Sequence, residues 1–330
     1  MYQFKKILII QTAFIGDVIL ATALIEKLYH YFPDAEIDFL LRKGNEGLLK
    51  DHPQIHKILI WDKKTKKTAN LFRLTRQVRS SKYDLVVNLQ RFFSCGILAG
   101  FSGAGRVVGF RKNPLSFLFT KTYDHKIGDG THEVERNLSL VSDFTDREVS
   151  RPMLHLSDEV LEAVIKYQKD PYITLAPTSV WYTKQFPREK WIEFIQNTAF
   201  EGKIYLLGGP VDQSACEEIR IAAEKDIVEN LCGKLGLLES AALMKGAHMN
   251  YVNDSAPQHL ASAVNAPTCA IFCSTIPAFG FGPLSDHHVI VEIEKELSCR
   301  PCGLHGHKSC PEGHFKCAMD IETKTLESAL

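Results

Sequence analysis

The chain has 330 residues, 45% hydrophobic and 24% charged, with 39 Lys+Arg against 39 Asp+Glu. This length exceeds one ordinary hydrophobic core, so two domains are expected, and the composition is that of a globular enzyme, not of a disordered or fibrous chain. Residues 1–150 hold 23 Lys+Arg against 16 Asp+Glu and the remainder reverses that excess; this suits an acidic or phosphorylated partner, and no basic helix or binding module accompanies the charge to suggest nucleic acid.

Ile7-Leu8-Ile9-Ile10 is a continuous apolar run, as in a strand buried on both faces. Lys5-Lys6 ahead of it imitates a signal peptide, but Gly16-Asp17 soon breaks the run and no cleavage pattern follows. Gln11 to Asp17 is the corner between this strand and a helix over 18–31, where Val18, Ala21, Leu24, Ile25 and Leu28 share a stripe. Gly16 permits a tight turn, and Asp17 reads either as a helix cap or as a carboxylate base for an acceptor hydroxyl. The corner lacks G-x-G-x-x-G, which counts against a dinucleotide. Strands follow at 37–41, 58–61, 84–89 and 106–110, with a helix at about 68–80. The lysine run Lys63–Lys67 reads as a solvated loop. Alternation of this kind implies a parallel sheet covered by helices.

Residues 146–152 read as a linker, which ends a first domain at residue 150. A helix at about 157–168 opens a second α/β domain, 151–317. Its strand 172–176 ends at Pro177-Thr178-Ser179, followed by Lys184-Gln185-Phe186-Pro187 and an amphipathic helix at 188–198. Hydroxyls and a lysine beside a strand end suit a phosphate or pyrophosphate, although a plain polar loop has the same composition. Strand 203–207 runs into Gly208-Gly209-Pro210-Val211-Asp212, where glycines allow close backbone approach and Asp212 could accept from a ribose or base. Strand 249–253 ends at Asp254-Ser255-Ala256-Pro257-Gln258-His259, ahead of a helix. Asp254 and Ser255 are good helix caps, and a helix N-terminus is also a phosphate site. A strand at 268–272 completes the pattern. Three corners at strand carboxyl ends together suit a nucleotide diphosphate better than any one of them does.

Cys95, Cys216, Cys232, Cys269 and Cys273 sit mostly in apolar surroundings and read as core residues. Cys299, Cys302, Cys310 and Cys317, with His305, His307 and His314 between them, form a C-x-x-C plus two isolated cysteines. They read either as a zinc site or as reduced structural thiols, the latter being favoured. Residues 318–330 read as a closing helix.

Gly16-Asp17, Lys184 ahead of Phe186-Pro187, Gly208-Gly209-Pro210, and Asn253-Asp254-Ser255 with Pro257 and His259 together resemble glycosyltransferase family 9, the ADP-heptose:lipopolysaccharide heptosyltransferases, over essentially the whole chain. The resemblance implies a GT-B fold: two doubly wound Rossmann-like domains facing across a cleft, with the closing helix packing back toward the first domain. It implies Asp17 as catalytic base, and a donor held by Thr178, Ser179, Lys184, Asp212, Asp254, Ser255, Ala256 and His259. The family usually has Gly where Ala256 stands, and the extra methyl narrows access to the phosphates. The implied reaction moves a heptose-like sugar from an ADP-sugar, with inversion, to an anionic lipid A-linked core saccharide, with no cofactor required. Arg42, Lys43, Arg91, Arg111 and Lys112 are candidates to hold that acceptor. The expected location is the cytoplasm, with peripheral contact at the inner face of the inner membrane. Two alternatives remain: a GT-B transferase or epimerase using a UDP-sugar, and a non-catalytic binding protein with a zinc-bearing tail.

Overall fold

A computed structural model describes residues 2–330 of the chain. It divides into two compact units after His155. The first unit contains β1 (Lys6–Ile10), α1 (Ile15–Tyr31), β2 (Glu36–Arg42), β3 (Ile55–Trp61), α2 (Lys67–Ser80), β4 (Leu85–Asn88), α3 (Phe93–Gly100), β5 (Arg106–Phe110), β6 (Lys121–Tyr123) and α4 (Glu133–Ser139). All its strand pairs are parallel, in the order β3-β2-β1-β4-β5-β6. Apolar runs such as Ile7–Ile10 and Leu85–Val87 are fully buried because helices cover both faces of the sheet.

The second unit contains α5 (Asp158–Val164), β7 (Tyr172–Ala176), α6 (Arg188–Asn197), β8 (Lys203–Leu206), α7 (Gln213–Ala223), β9 (Val228–Asn230), α8 (Leu237–Gly246), β10 (Asn250–Asn253), α9 (Ala256–Ala263), β11 (Thr268–Phe272), β12 (His288–Glu292), α10 (Lys316–Met319) and α11 (Lys324–Glu327). Its parallel order, β12-β11-β10-β7-β8-β9, repeats the topology of the first sheet. In each sheet the first and fourth strands lie side by side and the chain winds outward from them in opposite directions. The crevice beyond the carboxyl ends of those two strands is the topological switch point, where such sheets bind ligands. In the first unit it lies beyond the β1–β4 pair, in the second beyond β7–β10.

The domain limit at residue 150 moves to 155. Asp146 accepts hydrogen bonds from Lys27 and, at 2.6 Å, from Tyr31, and the Met153 N–H donates to Thr22 Oγ1 at 2.8 Å, so the expected linker is strapped to α1. The closing segment also differs from expectation. Ile321 and Leu326 are both buried, yet five residues apart they cannot share one helix face. The segment instead breaks into two short helices. Its apolar residues join the second unit's own core, with Ile173, Phe194 and Tyr251.

Candidate active site

The second unit's switch point is organised by Asn253, the last residue of β10. Its side-chain amide donates to the carbonyls of Ala176 (3.1 Å) and Pro177 (2.9 Å), and its oxygen accepts the Phe186 N–H at 2.8 Å. These bonds fasten the loop after β7 to the end of β10 and bring Lys184 against Asp254. Lys184 Nζ lies 2.6 Å from Asp254 Oδ2, with the side chains only 14% and 7% exposed. Thr275, just beyond β11, donates to the same oxygen at 2.6 Å. Asp254 is therefore no helix cap; Ser255 takes that position at the start of α9. Lys184 and Asp254, which the resemblance assigned to different parts of a donor, are partners in this structure. Thr178 and Ser179 just after β7 and Ser255 and Ala256 at the start of α9 are part-exposed, and His259 is buried one turn into α9. Asp212 stands apart in engagement: its Oδ2 accepts the Gly209 N–H at 2.8 Å and closes its own turn.

Residues that the sequence reading did not single out brace this corner. Arg300 donates to the carbonyls of Phe272 (3.1 Å), Cys273 (2.8 Å) and Thr275 (2.7 Å) and pairs with Glu292 at 2.6 Å, which fixes the loop carrying Thr275. Thr183 Oγ1 accepts the His307 N–H at 2.7 Å and the Ser274 hydroxyl at 3.0 Å. Ser274-Thr275 could have been flagged as a polar corner after strand 268–272; Arg300, buried inside a cysteine motif, carried no such signal.

In the first unit, Asp17 lies in the first turn of α1 and accepts the Phe14 N–H at 3.1 Å. Phe14, not Asp17, is the N-cap residue; Asp17 reaches back to it from the third helical position. Burial, then the negative charge of Glu133, push its carboxyl up to about 6, against the pull of the Phe14 N–H and Arg42. Glu133 is itself buried, held by His125 at 3.1 Å and by Arg136 Nε at 2.8 Å. An ionised carboxylate with a raised affinity for protons is suited to take one at neutral pH. The loop ahead of Asp17 is fixed by Lys63, whose Nζ donates to Thr12 O (2.8 Å) and Thr12 Oγ1 (2.9 Å), and by Asn45, which donates to Ala13 O at 3.2 Å. Lys63 thus departs from the solvated-loop reading, while Lys64, Lys66 and Lys67 stay exposed. Burial lowers the Lys63 ammonium below its ordinary value.

The five candidate cations all follow carboxyl ends of strands in this sheet: Arg42 and Lys43 at β2, Arg91 after β4, Arg111 and Lys112 after β5. Arg42 stacks on Phe14 at 4.8 Å and Arg91 on Phe92 at 5.6 Å. Lys43 pairs with Asp62 at 3.3 Å, and Arg111 with Asp124 at 3.4 Å. Ion pairs at the surface contribute little to stability.

The cysteine tail lies in the second unit. Cys299 Sγ is 4.0 Å from His314 Nε2, Cys310 Sγ accepts the Phe315 N–H at 3.3 Å, and Cys317 is buried in the core. Its thiols and imidazoles do not draw together into a three-ligand group; among the described residues that closeness occurs elsewhere, at Glu26, His52 and His155. The five scattered cysteines are all buried.

Comparison with known proteins identifies this architecture. The sequence profile of "Glycosyltransferase family 9 (heptosyltransferase)" matches residues 71–314. Lipopolysaccharide heptosyltransferase 3 of Escherichia coli K12 is 30% identical over 284 residues, 80% of this chain and 81% of its own length. Among solved structures, E. coli ADP-heptose LPS heptosyltransferase II superimposes with a TM-score of 0.81 at 20% identity, covering 98% of this chain and 97% of that one. The family 9 glycosyltransferase from Veillonella parvula gives 0.84 at 21% identity, covering 99% and 96%. Two Rossmann-like units with the same strand order are the halves of a GT-B fold, and this chain is a glycosyltransferase that belongs to family 9.

Proposed function

We propose that the protein transfers a heptose from ADP-heptose to the core saccharide of lipopolysaccharide, with inversion at the anomeric carbon. The observation that carries this reading is the Lys184–Asp254 pair at the start of α9, on the switch point of the second sheet, in a chain of a heptosyltransferase family. Its ammonium and the helix N-terminus supply positive charge where a diphosphate would gather negative charge as it leaves. Thr178, Ser179, Ser255, Ala256 and His259 complete the diphosphate contacts in this proposal, Asp254 meets the sugar, and Asp212 the nucleoside. The names of the relatives, which specify heptose, ADP-heptose and lipopolysaccharide, support the choice of substrates.

The acceptor oxygen attacks the anomeric carbon, its proton passes to the Asp17 carboxylate, and the carbon–oxygen bond to ADP breaks. The partial positive charge on the ring in the transition state favours a leaving group already neutralised by Lys184. The five cations at the carboxyl edge of the first sheet face the charge requirement of a phosphorylated, lipid-linked acceptor, and this supports the inner membrane surface as the place of action. No helix among the described residues is long and apolar enough to cross a membrane. The test is to incubate purified protein with lipopolysaccharide core acceptor and either ADP-heptose or a UDP-sugar, following nucleotide release and product mass. Growth of the acceptor by one heptose with ADP-heptose alone is expected; preference for the UDP-sugar, or nucleotide release without a glycosylated product, would refute the assignment.

A further inference from the structure

Away from these corners, Glu26 of α1, His52 between β2 and β3, and His155, the last residue of the first unit, bring one carboxylate and two imidazoles together. Glu26 Oε1 lies 3.3 Å from His155 Nε2 and 3.6 Å from His52 Nε2, and one ligand atom from each residue falls within 4.8 Å of the other two. The His52 side chain is 1% exposed, and neither ring nitrogen has a hydrogen-bond partner. A buried imidazole without a partner is costly and calls for an explanation. Hydrogen bonding to Glu26 does not supply it. An ionised imidazole–carboxylate bond spans about 2.7–2.9 Å, and a 3.6 Å separation is no hydrogen bond. The two Glu26 separations, 3.3 and 3.6 Å, come close to another arrangement. Metal–ligand bonds of about 2.0–2.1 Å at tetrahedral angles separate neighbouring ligand atoms by about 3.3 Å.

We propose that Glu26, His52 and His155 form a site for a divalent transition metal, with zinc the best chemical match. Two neutral nitrogens and one carboxylate oxygen are a borderline ligand set of the kind zinc takes. The fourth position falls to water, since Glu26 and His155 keep 20% and 27% of their side-chain surface. The second Glu26 oxygen accepts from Gln54 Nε2 at 3.4 Å, so the carboxylate is oriented from behind, as metal-binding carboxylates usually are. Glu26 is nine residues beyond Asp17 on the same helix, about 13 Å along its axis. The site is therefore separate from the proposed base. Its role is structural: it clamps α1, the segment before β3 and the point where the chain leaves the first unit.

The test uses the full-length protein stripped with a chelator, titrated with Zn²⁺ alone by calorimetry and followed by thermal melting. Wild type is expected to bind one equivalent at this site and to melt higher with metal. Glu26→Gln and His155→Ala change partly exposed side chains and should leave the far-ultraviolet dichroism intact. Each should weaken that binding at least tenfold and abolish the metal-dependent rise in melting temperature. A Cys299→Ser/Cys302→Ser variant should keep both. Co²⁺ at this site should show ligand-field bands without thiolate charge transfer. Absence of Zn²⁺ binding by wild type, retention of full affinity in Glu26→Gln/His155→Ala, or loss of the signal in the cysteine variant would each overturn the proposal.

Discussion

Asp17 owes its basicity to its surroundings, and this makes a pH prediction possible. Burial and Glu133 raise its carboxyl to about 6, from 3.8 in an exposed chain. The proposed base works ionised, so kcat/KM is expected to fall as pH drops through about 6. Glu133→Gln removes a negative neighbour, so the acid limb should move to lower pH. A limb unchanged by that substitution would remove Glu133 from the account. The same shift has a cost in stability. The folded protein holds the Asp17 proton more tightly than the unfolded chain, so ionisation penalises the fold increasingly as pH rises from about 4 through 6. Asp17→Asn should therefore melt higher than wild type at pH 8 and lose most of that advantage at pH 4, measured by calorimetry.

At the scale of elements, the second-unit corner is an assembly of strand ends. Lys184→Ala would leave Asp254 buried without its cation. Breaking such pairs typically costs about 3–5 kcal/mol, so a drop in denaturation midpoint is expected together with at least tenfold weaker ADP binding by calorimetry. Arg300 tests the brace behind it. Arg300→Ala frees the loop carrying Thr275 without touching Lys184, and should raise the KM for the donor more than it lowers kcat; an unaltered KM would show that the brace is idle. These elements were unevenly legible in the sequence. Ile7–Ile10 and Tyr172–Ala176 announced themselves because a strand covered on both faces is mostly apolar, Thr174 being the one polar residue of the two runs. The edge strands β6, β9 and β12 did not, being short or part-exposed. Lys63 could not be told from the three other lysines of its run, because only its bonds to Thr12, 51 residues away, turn it inward. Glu133 and Asp17 are likewise joined only by the fold.

Taken whole, the chain repeats one strand order twice and gives the copies opposite charge. The glycine, lysine and aspartate corners showed in the sequence because each follows a strand, and the fold places the first and fourth strand ends of each unit together. What the sequence could not supply was the set of long-range contacts that join those corners, such as Asn253 to Phe186 and Thr275 to Asp254. The basic carboxyl edge of the first sheet also leads to a prediction about substrate. Exposed ion pairs contribute up to about 1 kcal/mol each and are screened by salt. Arg111→Ala/Lys112→Ala should accordingly raise the acceptor KM by about tenfold at low salt, less at high salt, with the donor KM unchanged. Equal effects on both substrates would argue against an acceptor role.

The central claim is that Asp17 deprotonates an alcohol attacking an ADP-bound heptose. It is tested most directly by measuring sugar transfer and ADP affinity side by side for wild type and Asp17→Asn. Loss of a general base should lower transfer by about 10²–10⁴-fold while ADP binds with unchanged affinity; transfer at the wild-type rate by the Asn variant would contradict the account.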